Sequence, residues 1–461
     1  MNDNNILGHP RGLFSLAGTE FWDRVSFHGM QALLTLYMVE QLLLPGHVEH
    51  VVGFGPFRGA IEWFTGPLSS QSLAFQIFGL YIGAVYLTPL LGGLLGDRVL
   101  GRHRTVALGA LMMTIGHFCM AFDASFLLAL SLLTLGAGCL RGNLVAQVGA
   151  LYSADDRRRA DAFQIYYSSI NAGAFVAPIV AGLLGKQYGW HYGFGFAGFG
   201  MLIGLIVYLQ GRRYLPPDTV RITRRQRTRL TGAQRRVIGV LIAMTPLMAM
   251  FWVAQTQVWN VYNVWVRDHV DLEVAGWTMP VPWLQSIDGL APLVTMPLAL
   301  MLWRWQASRG REPDDFGKLG RGCLYFGLAT AWLALGHLAF PGDAKIPLVW
   351  AIVFHLASNV GWLYFTPTAV AVVAKAAPMS VNALMIGVYN VALVGGSVAS
   401  GRLGVLYERI DPQSFWLLHA AIVGAGGGLL LMLAPILRRE LRPREAPVVP
   451  HGSPTPQVQA G

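Results

Sequence analysis

Long apolar runs separated by short polar turns recur along the whole chain. Runs of spanning length fall at roughly 15–44, 71–96, 104–122, 125–152, 161–185, 192–211, 237–263, 279–303, 322–340, 347–374, 379–405 and 413–437. Each is close to the ~20 residues a helix needs to cross a bilayer. The pattern predicts an all-α polytopic membrane protein with twelve transmembrane helices. Six helices precede the Arg-rich stretch around 212–236 and six follow it, which divides the chain into an N-terminal bundle (1–211), a basic linker (212–236), a C-terminal bundle (237–440) and a tail (441–461). The tail is rich in Pro and Gly and has no apolar periodicity, so it is expected to be disordered.

Composition supports this class. Apolar residues make up 54% of the chain, charged residues 13%, and glycine accounts for 54 positions, a balance typical of membrane proteins rather than soluble domains of this length. The net charge of +10 alternates with the spans. Most of the 34 basic residues lie on one side, among them Arg98, Arg102, Arg104, Arg157 to Arg159, the linker and Arg438 to Arg444, whereas Arg58, Lys186, Arg267, Lys345, Arg402 and Arg409 fall on the other. The positive-inside rule then places both termini in the cytoplasm. A surface for nucleic acid would not alternate with hydrophobic spans. No cleavable signal is expected, because the first apolar run is of full spanning length. Cys119, Cys139 and Cys323 lie in or beside apolar spans and read as packing residues rather than as a disulfide framework or metal site. No metal cluster on one helix and no nucleophile with a base suggest an enzyme.

The chemistry concentrates in the first helix. Glu20, Asp23 and Arg24 sit near the start of its span, where ionisable groups are costly and mark a functional site. At helical spacing Glu20, Arg24, Phe27 and Gln31 share one face, so this face should look away from lipid. Six-plus-six organisation around such a face is the plan of a transporter whose halves rock about a central site. The long stretch at about 45–70, with "GFGPFRGAIEWFTGP", is read as a passive loop, with a short interfacial helix or a flap over the outer mouth as alternatives.

Several motifs narrow the class. "GGLLGDRVLGRHRTV" (92–106) resembles the loop between helices two and three of the major facilitator superfamily. "TEFWDRVSFHGMQALLTLYM" (19–38), "LGAGCLRGNLVAQVGALY" (135–152), "FQIYYSSINAGAFVAPIVAGLL" (163–184), "FWVAQTQVWNVYNV" (251–264), "LQSIDGLAPL" (284–293) and "GWLYFTPTAVAVVAKAAP" (361–378) resemble, in order, helices one, four, five, seven, eight and ten of the proton-dependent oligopeptide transporter family. The resemblance implies a major facilitator fold of two six-helix bundles. It also implies a proton-coupled symporter of di- and tripeptides working by alternating access in a bacterial inner membrane, as a monomer, driven by the proton gradient without a cofactor. A relative carrying a non-peptide solute, and a non-cycling receptor of the same fold, are the alternative readings.

By the same resemblance Glu20, Asp23, Arg24, Arg141 and Asp288 couple protons. Phe27, His28, Gln31, Tyr86, Arg141, Asn171, Thr256, Gln257, Asp288, Trp362 and Tyr389 line the substrate site, and Asp97 with Arg98 gates. The departures from the family pattern are as informative as the matches. Asp23 stands for Glu and Val25 for Phe, and Phe27 and His28 replace a pair of tyrosines. Gln31 replaces the Arg that meets a substrate carboxylate, Thr256 an acid, and Trp362 the Glu that faces a peptide's amino terminus, so the charged clamps for peptide ends are missing. Asp288 stands where Asn is frequent and Arg141 where Lys is. Since Arg keeps its proton, Arg141 is a fixed charge. Three acids (Glu20, Asp23, Asp288) against two guanidiniums (Arg24, Arg141) predict one shared buried cluster in which a proton changes the pairing, with Asp288 and Arg141 forming or breaking a contact between the bundles.

Overall fold

A computed structural model describes residues 5–153, 155–218, 230–378 and 381–441. Most of the expected linker core and tail, 219–229 and 442–461, lie outside the described residues. Among the described residues the fold is helical apart from two short hairpins, Asn5–Ile6 with His9–Pro10 and Glu273–Val274 with Trp277–Thr278, and an isolated bridge between Val270 and Ile346.

In the first half, α1 (Arg11–Tyr37) runs on through a π turn at Met38–Leu42 and is followed by α2 (Phe54–Thr65), α3 (Ser70–Leu87), α4 (Pro89–Arg98), α5 (Arg102–Cys119), α6 (Phe126–Ala150), α7 (Arg158–Tyr188) and α8 (Trp190–Gly211). The second half holds α9 (Gly232–Gln257), α10 (Val261–His269), α11 (Ser286–Ser308), α12 (Asp315–Ala339), α13 (Leu348–Ala376), α14 (Asn382–Gly404) and α15 (Pro412–Leu441).

These account for the twelve expected spans. The second is α3 and α4 in series, interrupted at Thr88 where Pro89 opens α4, in the first turn, where a helix makes no use of the amide donor. The seventh is α9 and α10, interrupted at Val258–Asn260. Helix α9 starts at Gly232, inside the stretch read as linker, because Thr231 and Gln234 form a reciprocal capping box. Among the described residues ten spans are both long and apolar enough to cross a membrane. The remaining two, α1 and α5, are long enough but carry charge: Glu20, Asp23 and Arg24 in α1, and Arg102, His103 and Arg104 at the start of α5. The stretch at 45–70, read as a passive loop, holds a helix, α2, over 12 of its residues.

Each half packs on itself, α1 against α7 and α8 and α5 against α6 and α8, then α12 against α13 and α15 and α9 against α14 and α15. Close approach of α7 to α1 depends on Gly173, where a Cβ would lie 2.6 Å from the Phe21 carbonyl and 2.7 Å from the Arg24 Cβ. The halves meet through α3 with α14 and α7 with α11. Interbundle hydrogen bonds cluster toward the end remote from the chain termini. Asn260, at the α9–α10 break and fully buried, accepts from the Thr35 hydroxyl at 3.2 Å and donates to the Phe75 carbonyl at 3.1 Å. Trp283 donates to the Ile179 carbonyl at 3.0 Å, Arg267 pairs with Glu40 at 3.1 Å, and Ser69 and Ser72 both donate to Glu408. That end is closed.

Candidate functional site

The polar stripe of α1 faces a cavity of about 330 Å³ between the halves. The first half supplies Arg24, Phe27, His28, Gln31, Tyr86 and Asn171 to its wall. The second supplies Thr256, Asp288, Trp362 and Tyr389, together with Trp252, Trp259, Ser358 and Asn359. The spacing 24, 27, 28, 31 is one face of a helix, so a single element brings four predicted residues to the site. The wall is aromatic and hydrogen-bonding at once: His28 Nδ1, Gln31 Oε1, Asp288 Oδ2 and Thr366 Oγ1 are buried there without a protein partner. Buried polar atoms are nearly always paired, so these are the atoms a solute or water would meet.

Behind the wall Glu20 and Asp23 are buried. Glu20 Oε1 receives Arg24 Nε at 2.7 Å and Nη2 at 2.6 Å, while its Oε2 receives the Tyr166 hydroxyl at 2.5 Å. Asp23 Oδ2 lies 3.5 Å from Arg24 Nε and 3.4 Å from Arg141 Nε, equally shared by two guanidiniums. The Arg141 guanidinium sits 4.0 Å from the centre of the Phe27 ring, a cation–π contact, and is screened from the cavity by it. Two carboxylates against two guanidiniums make a neutral cluster that tolerates burial.

The single cluster expected from charge counting is therefore two clusters. Asp288 does not touch Arg141. Its Oδ1 lies 2.9 Å from His355 Nδ1 and receives Asn359 Nδ2 at 2.8 Å, both from α13. His355 is fully buried, and Asp288 Oδ2 has no partner. The physical reason for the split is packing: α11 lies against α13 and α7, whereas Arg141 is held on α6 over Phe27.

Other predicted residues behave individually. Thr256 bonds Ser397 at 3.2 Å, Asn171 donates to the Tyr167 carbonyl of its own helix at 3.0 Å, and Tyr86 tilts against Trp252. His28 packs between Phe27 and Trp259. Gln257, which matched the family motif, does not line the cavity; its amide donates to the Ser400 carbonyl at 2.9 Å and contacts His419 at 3.0 Å. Asp97 pairs with Arg102 at 3.1 Å rather than with Arg98, bridging α4 to α5 at an exposed turn.

Tyr166, His355 and Asn359 escaped the sequence reading. One signal was present: His355, Ser358, Asn359, Trp362 and Thr366 recur at helical spacing on the otherwise apolar α13.

Two helical bundles with a polar, charge-bearing cavity between them are the plan of a secondary transporter. The POT family model matches residues 103–221 and 215–417. This chain belongs to that family, the proton-dependent oligopeptide transporters of the major facilitator superfamily. It is similar to an uncharacterized transporter of Bacillus subtilis, YclF, with 27% identity covering 95% of this chain and 96% of the relative. Identity is also 27% with the peptide transporter YePEPT of Yersinia enterocolitica, covering 94% of this chain and 96% of that one. The crystal structure of a mutant of the peptide transporter POT in complex with alafosfalin superposes with a TM-score of 0.83, at 25% identity over 95% of this chain and 97% of that one.

Proposed function

We propose that this chain is a proton-coupled symporter of small peptides, with both termini on the cytoplasmic side of a bacterial inner membrane. The observation that carries the reading is Arg24 at the cavity wall, held from behind by Glu20, with Asp288 presented from the other bundle. Protonation of Glu20 removes the carboxylate that holds Arg24. Two guanidiniums then share the one charge of Asp23, and the excess positive charge at Arg24 attracts a carboxylate from the cavity. Asp288 Oδ2, free of protein partners, is the acceptor for an ammonium group. A zwitterionic peptide is gripped at both ends by groups other than the family's usual clamps, and its carboxylate end is gripped only when the proton is aboard. That order of events is what coupling requires.

Relatives support the cargo class, since YePEPT is a peptide transporter and the superposed structure holds alafosfalin. Around this centre, Asp97 with Arg102 latches the α4–α5 turn, and the stretch 212–236 ties the halves. The bulky indole of Trp362 in the cavity wall favours one second reading, a smaller non-peptide zwitterion as cargo. Uptake of a labelled dipeptide into proteoliposomes with acid outside tests the proposal. Accumulation that competing di- and tripeptides suppress supports it. Accumulation suppressed only by a non-peptide amino acid analogue selects the second reading, and no gradient-driven uptake of any solute overturns both.

A further inference from the structure

The helix in the connection between the first two spans exposes an apolar face that a water-exposed lid would not. In α2, Phe54 and Ile61 face inward, 6% and 7% exposed. Trp63 and Phe64 stand out at 80% and 79%, ring edge against ring face at 4.5 Å. The exposed positions from Val52 to Pro67 are Val52, Gly53, Gly55, Pro56, Gly59, Ala60, Trp63, Phe64 and Pro67, with no charged or hydrogen-bonding side chain beyond the indole N–H. Within α2, Pro56, Gly59, Ala60, Trp63 and Phe64 follow helical spacing and make one continuous face.

The charges of α2 are consumed locally. Arg58 Nε donates to Glu62 Oε1 at 2.9 Å, Arg58 Nη2 donates to the Leu68 carbonyl at 2.9 Å, and the Leu68 amide donates to Glu62 Oε1 at 3.0 Å. The start of the helix is tied to the α5–α6 turn by the Val52 amide, which donates to the Ala124 carbonyl at 3.1 Å. No α2 residue lines the central cavity. The helix is a clamped shelf on the side of the first bundle rather than a flap over the opening.

Its height is set by its neighbours. α1 ends and α3 begins at the two ends of this connection, so α2 lies where those helices leave the bilayer. An apolar face with a Trp at that level matches the headgroup–acyl boundary, where Trp is enriched. We propose that α2 is an interfacial helix seated on the leaflet remote from the chain termini, with Trp63 and Phe64 in the boundary region. The helix carries one acid and one base in a mutual pair, so its lipid partner is zwitterionic and no anionic headgroup is required. Because α1 and α3 both contribute wall residues to the cavity, this seat fixes the first bundle's height in the membrane.

The test places nitroxide labels at Trp63→Cys, Phe64→Cys and, as the aqueous reference, Glu49→Cys, in full-length protein lacking its three native cysteines and reconstituted in phosphatidylcholine. Power-saturation measurements compare collision with oxygen, which concentrates in lipid, and with a water-soluble nickel chelate. The expected result is oxygen dominance at 63 and 64 and nickel dominance at 49. Nickel dominance at 63 and 64 overturns the proposal in favour of an aqueous loop. Low collision with both reagents overturns it in favour of a protein contact, a flap or a second copy. Should the cysteine variants fold poorly, Trp63→Phe keeps the aromatic face, and quenching of the protein's tryptophan emission by brominated phosphatidylcholine should then fall relative to the unmutated chain; unchanged quenching counts against the lipid seat.

Discussion

Tyr166 donates its hydroxyl to Glu20 Oε2 at 2.5 Å while Arg24 occupies the other oxygen. α7 thus helps to hold the carboxylate that α1 presents, and the proton switch spans two helices of one bundle. Tyr166→Phe removes the hydroxyl that holds Glu20 Oε2 and leaves the carboxylate to Arg24. Proton-driven dipeptide uptake should slow about tenfold, the scale of one lost hydrogen bond to a charged group. Initial rates of uptake check this, and a rate equal to that of the unmutated chain would show that Tyr166 only packs.

Asp288 is the proposed anchor for an ammonium group. Asp288→Asn should raise KM for dipeptides about tenfold or more, the scale of a lost charge-assisted contact, and leave that of N-acetylated peptides nearly unchanged. Competition assays with the two peptide series separate these outcomes. Equal losses for both would move the amine contact elsewhere.

Asn260 bonds to two helices of the opposite half at the closed end. Asn260→Ala leaves Thr35 and the Phe75 carbonyl without these partners, at a cost of about 1–3 kcal/mol each if they stay buried. The equilibrium should shift toward opening at that end. Spin–spin distances between labels at Tyr188 and Asp343 should lengthen in a larger fraction of molecules than in the unmutated protein.

The clamp under α2 has a definite pH dependence. The Leu68 amide, and then Arg58, hold the Glu62 carboxyl below its ordinary value of 4.5. A depressed folded-state pKa gives stabilisation that is present above the unfolded value and is lost as pH falls through the folded one. The label at Trp63→Cys should keep its collision profile between about pH 7 and pH 5, and Glu62→Gln should loosen it at both.

Much of this was legible within single helices. The stripe of Glu20, Arg24, Phe27 and Gln31 follows from 3.6-residue spacing and the cost of charge in an apolar span; of its members Arg24, Phe27 and Gln31 line the cavity and Glu20 is buried behind them. Relations between helices were not legible. Charge counting merged Asp288 with Arg141, because a list of charges does not say that α13 delivers His355 and Asn359 to Asp288. Gln257 matched a motif, yet the α9–α10 break at Val258–Asn260 follows it directly and its amide turns to Ser400. A helix at α2 stood second to a loop because its Gly and Pro content lowers local helix propensity, whereas burial of Phe54 and Ile61 holds it helical.

The central claim is that a proton on Glu20 and a peptide in the cavity move together. It is tested most directly by loading proteoliposomes with a pH-sensitive dye and adding dipeptide outside. The unmutated chain should acidify the lumen on peptide addition, and Glu20→Gln should bind peptide and exchange it across the membrane without acidification. Peptide uptake by the unmutated chain with no lumenal acidification, or equal acidification by Glu20→Gln, would contradict the account.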